Sequence, residues 1–185
     1  MRRRQPGKSA PPRLWLISDA RNDAVLERAI ARMPSGSGLV FRHYHLPPEE
    51  RRARFDRLAR LIRMRDGVIV LAGDAGAARR WRADGWYGAP CGGAAGTLIR
   101  LVTVHDLREL RRANALHSRG TQALISPAFE TQTHPGGATL GVPRFAALAR
   151  LSRLPVIALG GMTRTRARQI AHTIDGWAAI DGLSG

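Results

Sequence analysis

The chain has 185 residues, 44% of them hydrophobic, with one cysteine and a formal net charge of +16. That length suits one domain with a core of its own and argues against two. No run approaches the roughly 18 apolar residues of a membrane span, residues 1–13 lack the apolar centre of a secretory signal, and a lone Cys91 suits a reducing compartment, so a cytoplasmic protein without a membrane partner is expected.

The charge suggests a polyanionic partner. Lys8 is the only lysine, however, and Arg51, Arg52, Arg54, Arg57, Arg60, Arg63 and Arg65 share one helical segment. That pattern reads more simply as solvated helix surface, which argues against nucleic acid.

Short β-branched runs alternate with longer arginine-studded stretches whose apolar residues recur three or four apart. Residues 14–18 read as a first strand and 23–33 as a helix, with Val25, Leu26, Ala29, Ile30 and Met33 on one face. A second strand covers 39–44. Pro47 and Pro48 then suit the first turn of a helix over 49–64, where a missing N–H costs nothing. Strand 67–72, a short helix 74–83 and a brief strand 85–88 follow. Strand 98–105 leads to a helix over 106–115 with Asp106 as its N-cap, then strand 121–126. The Thr/Pro/Gly-rich stretch 127–142 is long enough to be a functional loop. Helix 143–151, strand 156–159, helix 163–172 and strand 177–180 complete the chain.

Eight strands separated by helices imply parallel βαβ units, and eight repeats favour a closed barrel. The expected fold is therefore α/β: a compact (β/α)8 TIM barrel over 13–185, its fourth and eighth helices short or missing, preceded by a basic flexible tail over 1–12.

Chemistry in such a barrel sits beyond the C-terminal ends of the strands. Gly160-Gly161, closing the seventh strand ahead of a helix, lets backbone N–H groups approach an anion; a tight turn is the plainer explanation. Thr131 and Thr133 present two hydroxyls with the titratable His134 beside them, or merely a polar loop cap. Arg42, with His43 and His45 just after it, offers a fork of donors for phosphate, or half of a structural ion pair. His105-Asp106 is a base at the mouth or a helix cap.

Three segments carry a family resemblance: Ser126-Pro127-Ala128-Phe129-Glu130-Thr131-Gln132-Thr133-His134-Pro135-Gly136, Pro155-Val156-Ile157-Ala158-Leu159-Gly160-Gly161-Met162, and Asp175-Gly176-Trp177-Ala178-Ala179-Ile180. In this order and spacing they resemble the thiamine phosphate synthase family and its TenI-type relatives. Thr103-Val104-His105 and Phe41-Arg42-His43 resemble its fifth- and second-strand motifs. The resemblance implies a protein of thiamine biosynthesis that joins hydroxymethylpyrimidine diphosphate to thiazole phosphate and releases pyrophosphate, a transferase assisted by Mg²⁺. It implies phosphorylated small molecules as partners and is compatible with a homo-oligomer. Arg42, Thr103 and His134 fall at catalytic positions, and Ser126, Thr131, Thr133, Gly160, Gly161 and Asp181 at substrate- and phosphate-binding ones.

Several positions depart from the family's pattern. Val40 replaces a glutamine, Tyr44 the lysine that binds pyrophosphate, and His134 the lysine after Thr-x-Thr. Ala72-Gly73 replaces an Asn-Asp pair, leaving Asp74 as the nearest carboxylate for a metal, and the second metal-binding aspartate has no counterpart in 88–96. Asp181 replaces a serine; a carboxylate there repels an anion unless a cation or proton intervenes. A TenI-like thiazole tautomerase, which needs neither metal nor pyrophosphate, and a non-catalytic binder of thiamine precursors are the alternatives, with an arginine-rich nucleic-acid binder the weakest. A carboxylate introduced at Gly161 is expected to abolish anion binding and leave the fold intact.

Overall fold

The computed structural model describes residues 11–91, 96–130, 139–181 and 183. Its strands are β1 (Leu14–Ile17), β2 (Gly38–Phe41), β3 (Val68–Ala72), β4 (Gly85–Gly88), β5 (Ile99–Val104), β6 (Thr121–Ile125), β7 (Val156–Ala158) and β8 (Gly176–Ala179), and its helices are α1 (Leu26–Arg32), α2 (Pro48–Arg63), α3 (Ala75–Trp81), α4 (Leu107–Ala115), α5 (Gly141–Leu151) and α6 (Arg164–Gln169). All neighbouring strands run parallel, and β8 returns to β1 with Leu14 opposite Trp177, which closes the barrel.

The pattern of six helices on eight strands follows from the sequence. Asp74, Asp106 and Thr163 cap α3, α4 and α6 with side-chain oxygens, and α2 begins at Pro48. Among the described residues no helix follows β4 or β8. The expected helix over 23–33 is divided. Asp19 and Asn22 form a capping box that opens a 3₁₀ turn, Ala20–Val25, before α1 starts.

Side chains alternate across each strand. Trp15, Ile17, Val40, Val70, Leu101, Leu124, Ile157 and Ala178 point inward and fill the barrel with a fully buried cluster. Outside the barrel the apolar layer is in two parts. One joins β1 through β4 to α1, α2 and α3, with Leu26, Phe41, Phe55, Ile69 and Trp86 among its members. The other joins β5 through β7 to α4, α5 and α6, through Val102, Leu110, Ile125, Phe145 and Ile170.

The outer wall between these parts, beside β4, is covered by a side chain. Arg100, buried on the outward face of β5, lays its guanidinium 5.3 Å from the Trp86 ring centroid and donates to the carbonyl of Cys91. Pro12, ahead of β1, is buried, and its carbonyl accepts the Trp15 indole N–H at 3.0 Å.

Candidate active site

The alternation that buries Val40 and Phe41 on opposite faces of β2 sends Arg42 toward the barrel mouth and His43 toward the helical layer. By the same register Thr103, two residues beyond inward-facing Leu101, and Ser126, two beyond Leu124, stand at the inner ends of β5 and β6. Arg42, Thr103 and Ser126 thus share the C-terminal rim, as the sequence suggests. The Thr103 hydroxyl makes a long contact of 3.4 Å to the carbonyl of Gly88. Buried Ser126 joins the rim through its N–H, which donates to the Val104 carbonyl at 2.9 Å.

Arg42 is weakly compensated. Its nearest carboxylate, Asp19, lies 4.0 Å away, and its side chain is 36% exposed. Tyr87, packed against the barrel interior, has its hydroxyl pushed up by burial, an effect that the positive charge of Arg42 partly offsets.

A second cation stands beside it. Arg51, the first arginine of α2, donates from Nε to the Arg42 carbonyl at 3.1 Å and reaches the Ala72 carbonyl at 3.5 Å. Its guanidinium lies 5.0 Å from the Tyr44 ring centroid, 5.1 Å from Trp81 and 5.7 Å from Phe41. Burial lowers its pKa, and no carboxylate among the described residues counters that shift. Arg51 is therefore not the solvated residue its helical spacing suggests, whereas Arg57, Arg60 and Arg63 are exposed.

Gly160 and Gly161 adopt φ of +96° and +60°. A Cβ on Gly160 would sit 2.7 Å from the Pro127 Cα, and one on Gly161 would sit 2.2 Å from the Glu130 carbonyl oxygen. The loop after β6 lies directly on this turn, with the N–H groups of Ala128 and Phe129 donating to the carbonyls of Leu159 and Gly160 at 2.8 and 3.1 Å. Both glycines are thus required by packing as well as by conformation. A carboxylate at Gly161 would not leave the fold intact, because it would displace Glu130. Thr131, Thr133 and His134 lie outside the described residues.

Asp181 does have an intervening cation, Arg21, whose Nη1 is 3.6 Å away. His105 is exposed, its Nδ1 2.9 Å from Glu109 within the first turn of α4, which is the capping arrangement. Asp74 accepts the Ala77 N–H at 2.7 Å as the cap of α3. Ala72 and Gly73 beside it bring no side-chain donor, so the described ends of β3 and β4 do not fit Mg²⁺, which is usually held through one or two carboxylates together with substrate phosphates.

One polar cluster escapes the sequence altogether. Fully buried Ser18 contacts His43 Nδ1 at 2.8 Å, and His43 Nε2 contacts Asp23 Oδ1 at 2.8 Å. Arg54 donates to Asp23 Oδ1 and, through both Nη atoms, to the two oxygens of Glu27. His43, at φ +37°, stacks on Phe41 with ring centroids 4.7 Å apart. Burial holds its pKa below the ordinary imidazole value. Burial raises Asp23, but hydrogen bonds from His43 and Arg54 outweigh it and leave the carboxyl low. The partners are 20 to 31 residues apart, so no local pattern joins them. His43 and His45, two residues apart, are the one trace of it that the sequence shows.

A closed barrel of eight parallel strands with helices between them defines the class, an α/β barrel of the TIM type. The family model described as thiamine monophosphate synthase matches residues 14–183, and the chain belongs to that family. No curated sequence matches it. Among solved structures it is similar to a thiamine phosphate pyrophosphorylase from Pyrococcus furiosus, at 20% identity and a TM-score of 0.75, covering 94% of this chain and 88% of that one. A second, from Bacteroides thetaiotaomicron, has 14% identity and a TM-score of 0.59, covering 92% and 83%. An HpcH/HpaI aldolase/citrate lyase family protein from Burkholderia cenocepacia also matches at 14% identity and a TM-score of 0.59, covering 93% and 89%. Likeness at these identities shows the shared barrel; the family model carries the assignment.

Proposed function

We propose that this chain is a thiamine phosphate synthase-type protein that holds a phosphorylated substrate at the β2–β3 side of its barrel mouth through Arg42 and Arg51. The observation that carries this reading is the undercompensated charge there: Asp19 stands 4.0 Å from Arg42, and Arg51 rests among aromatic rings, its burial offset in part by Tyr44 and by no carboxylate among the described residues. Two guanidinium groups in a half-buried setting attract phosphate oxygens strongly and present forks of donors to them.

In pyrophosphate displacement, charge accumulates on the departing oxygens, and fixed cations lower the barrier by meeting it. Arg42 and Arg51 would do this from the rim. Thr103 and Ser126 would orient the substrates from β5 and β6, and Gly160 and Gly161, after β7, would admit the phosphate of the second substrate to the backbone. Family members depend on Mg²⁺, whereas Asp74 is committed to its helix cap, so no step is assigned to the ion here. The same misfit favours a second reading, proton transfer on a thiazole phosphate, which requires neither metal nor a leaving pyrophosphate.

Calorimetric titration of the purified protein with thiazole phosphate and with inorganic pyrophosphate, with and without Mg²⁺, tests the proposal. Binding without Mg²⁺ that weakens more than about tenfold in Arg42→Ala, the cost of a lost charge-assisted hydrogen bond, is the expected result. Affinity unchanged by that substitution, or no binding of either ligand, would overturn it. Incubation with both substrates then separates synthesis of thiamine phosphate from isomerisation.

A further inference from the structure

Asp23, His43 and His45 bring one ligand atom each within 4.8 Å of one another on the outer side of the rim. They come from two segments. Asp23 lies in the 3₁₀ turn after β1, and the two histidines, spaced two apart in the loop after β2, have ring centroids 5.2 Å apart. Two ligands at about 2.1 Å from a tetrahedral ion stand about 3.4 Å apart. His43 Nε2 and Asp23 Oδ1 are 2.8 Å apart, so they need to open only slightly. His45 is exposed, its ring beside that of His43.

The outer contacts are those a metal ligand requires. Among the described residues Asp23 makes its side-chain contacts, with His43 and Arg54, through Oδ1, and Oδ2 accepts no hydrogen bond from them. Arg54 is a competing positive charge at that carboxylate. It is also matched by both oxygens of Glu27, so it orients Asp23 without neutralising it alone. Ser18 can serve either tautomer of His43. Its oxygen already accepts the Arg42 N–H at 2.9 Å; it can donate its own proton to Nδ1, or accept Nδ1–H on its second lone pair. The second arrangement frees the Nε2 lone pair, and an imidazole held in this way by its far nitrogen is the usual state of a metal-bound histidine.

We propose that Asp23, His43 and His45 form a three-ligand site for a first-row transition ion, Zn²⁺ foremost, with a fourth position open to water. Two imidazoles and one carboxylate suit such an ion and not Mg²⁺, which prefers oxygen and keeps its water. Bound there, it would tie the turn after β1 to the loop after β2.

The test uses metal-stripped full-length protein titrated with ZnCl₂ by calorimetry and with Co²⁺ by visible absorption. One Zn²⁺ per chain, a tetrahedral Co²⁺ spectrum and a raised Tm are expected, with millimolar Mg²⁺ failing to compete. His45→Ala, on an exposed side chain that folding does not need, should weaken Zn²⁺ more than tenfold, and Ser18→Ala about 10–100-fold, as loss of an outer-shell partner does. His105→Ala, at the surface His–Glu pair on α4, should change nothing. Absence of saturable Zn²⁺ binding, equal affinity in His45→Ala, or loss of binding in His105→Ala would each overturn the assignment.

Discussion

Replacing Gly161 with alanine asks what the paired glycines after β7 are for. If they serve only to let an anion near the backbone, the methyl group should reduce binding and leave stability alone. The geometry says otherwise. At φ +60° an alanine costs about 1–2 kcal/mol against glycine. Its Cβ would then lie 2.2 Å from the Glu130 carbonyl oxygen, and forcing two packed backbones apart adds about 1–3 kcal/mol. The total is about 2–5 kcal/mol, or a fall in Tm of about 4–20 °C at 2–4 °C per kcal/mol for a chain of this size. Gly36→Ala is the control. Gly36 has φ +78° with nothing within 4 Å of a built Cβ, so it carries the conformational cost alone, about 1–2 kcal/mol. Thermal unfolding followed by circular dichroism compares the two. Equal melting temperatures for Gly161→Ala and Gly36→Ala would refute the close approach of the loop after β6, and unchanged stability in both would refute the conformational argument as well.

Arg54→Ala should cost about 1–3 kcal/mol, between the values for exposed and buried pairs, and lower Tm by about 2–12 °C. The hydrogen bonds from Arg54 help hold the Glu27 and Asp23 carboxyls below their usual values, so this contribution is whole above those values and is lost as pH falls through the lowered ones; denaturant titrations of wild type and variant should converge only once both carboxyls are protonated. Asp74→Ala removes the cap of α3 and should cost about 0.5–2 kcal/mol, with no change in Mg²⁺ response; an altered Mg²⁺ dependence of ligand binding would restore Asp74 as a metal ligand. Gly73→Asp, needed to rebuild the family's metal pair, places a side chain at φ +149°, where essentially only glycine is at ease. Differential scanning should show a lower Tm for it, while Tyr44→Lys, at an exposed position, should leave Tm within a few degrees.

The barrel was legible because its signals are local. Apolar β-branched runs, the Asp106 cap and the prolines before α2 each act within a few residues, and the eight strands fall where the sequence places them to within three positions at either end; Asp74, read as a metal carboxylate, is instead the cap of α3. The division of the first helix was missed for a local reason, since Asp19 and Asn22 form a capping box from a less familiar Asp-x-x-Asn pair. The site was legible only in part. Strand alternation puts Arg42, Thr103 and Ser126 on the rim, but nothing in the α2 arginine series distinguishes Arg51, held among three aromatic rings, from exposed Arg57. That difference arises from packing by Trp81, thirty residues away. The Ser18–His43–Asp23–Arg54 chain depends wholly on such long-range proximity.

The two places where no helix is described, after β4 and after β8, are also the places where the outer apolar layer breaks. The N-terminal half, β1 to β4 with its three helices, and the C-terminal half, β5 to β8 with its own three, each bury their helices in a separate apolar cluster, and are joined by the inner cluster, the strand ladders and a few polar contacts such as Arg100 on Trp86 and Arg21 to Asp181. The molecule is in that sense two half-barrels with one common lining. Its amides should exchange with solvent as two cooperative groups, with the seams opening before either half unravels, and with Arg100 acting as the latch on one of them.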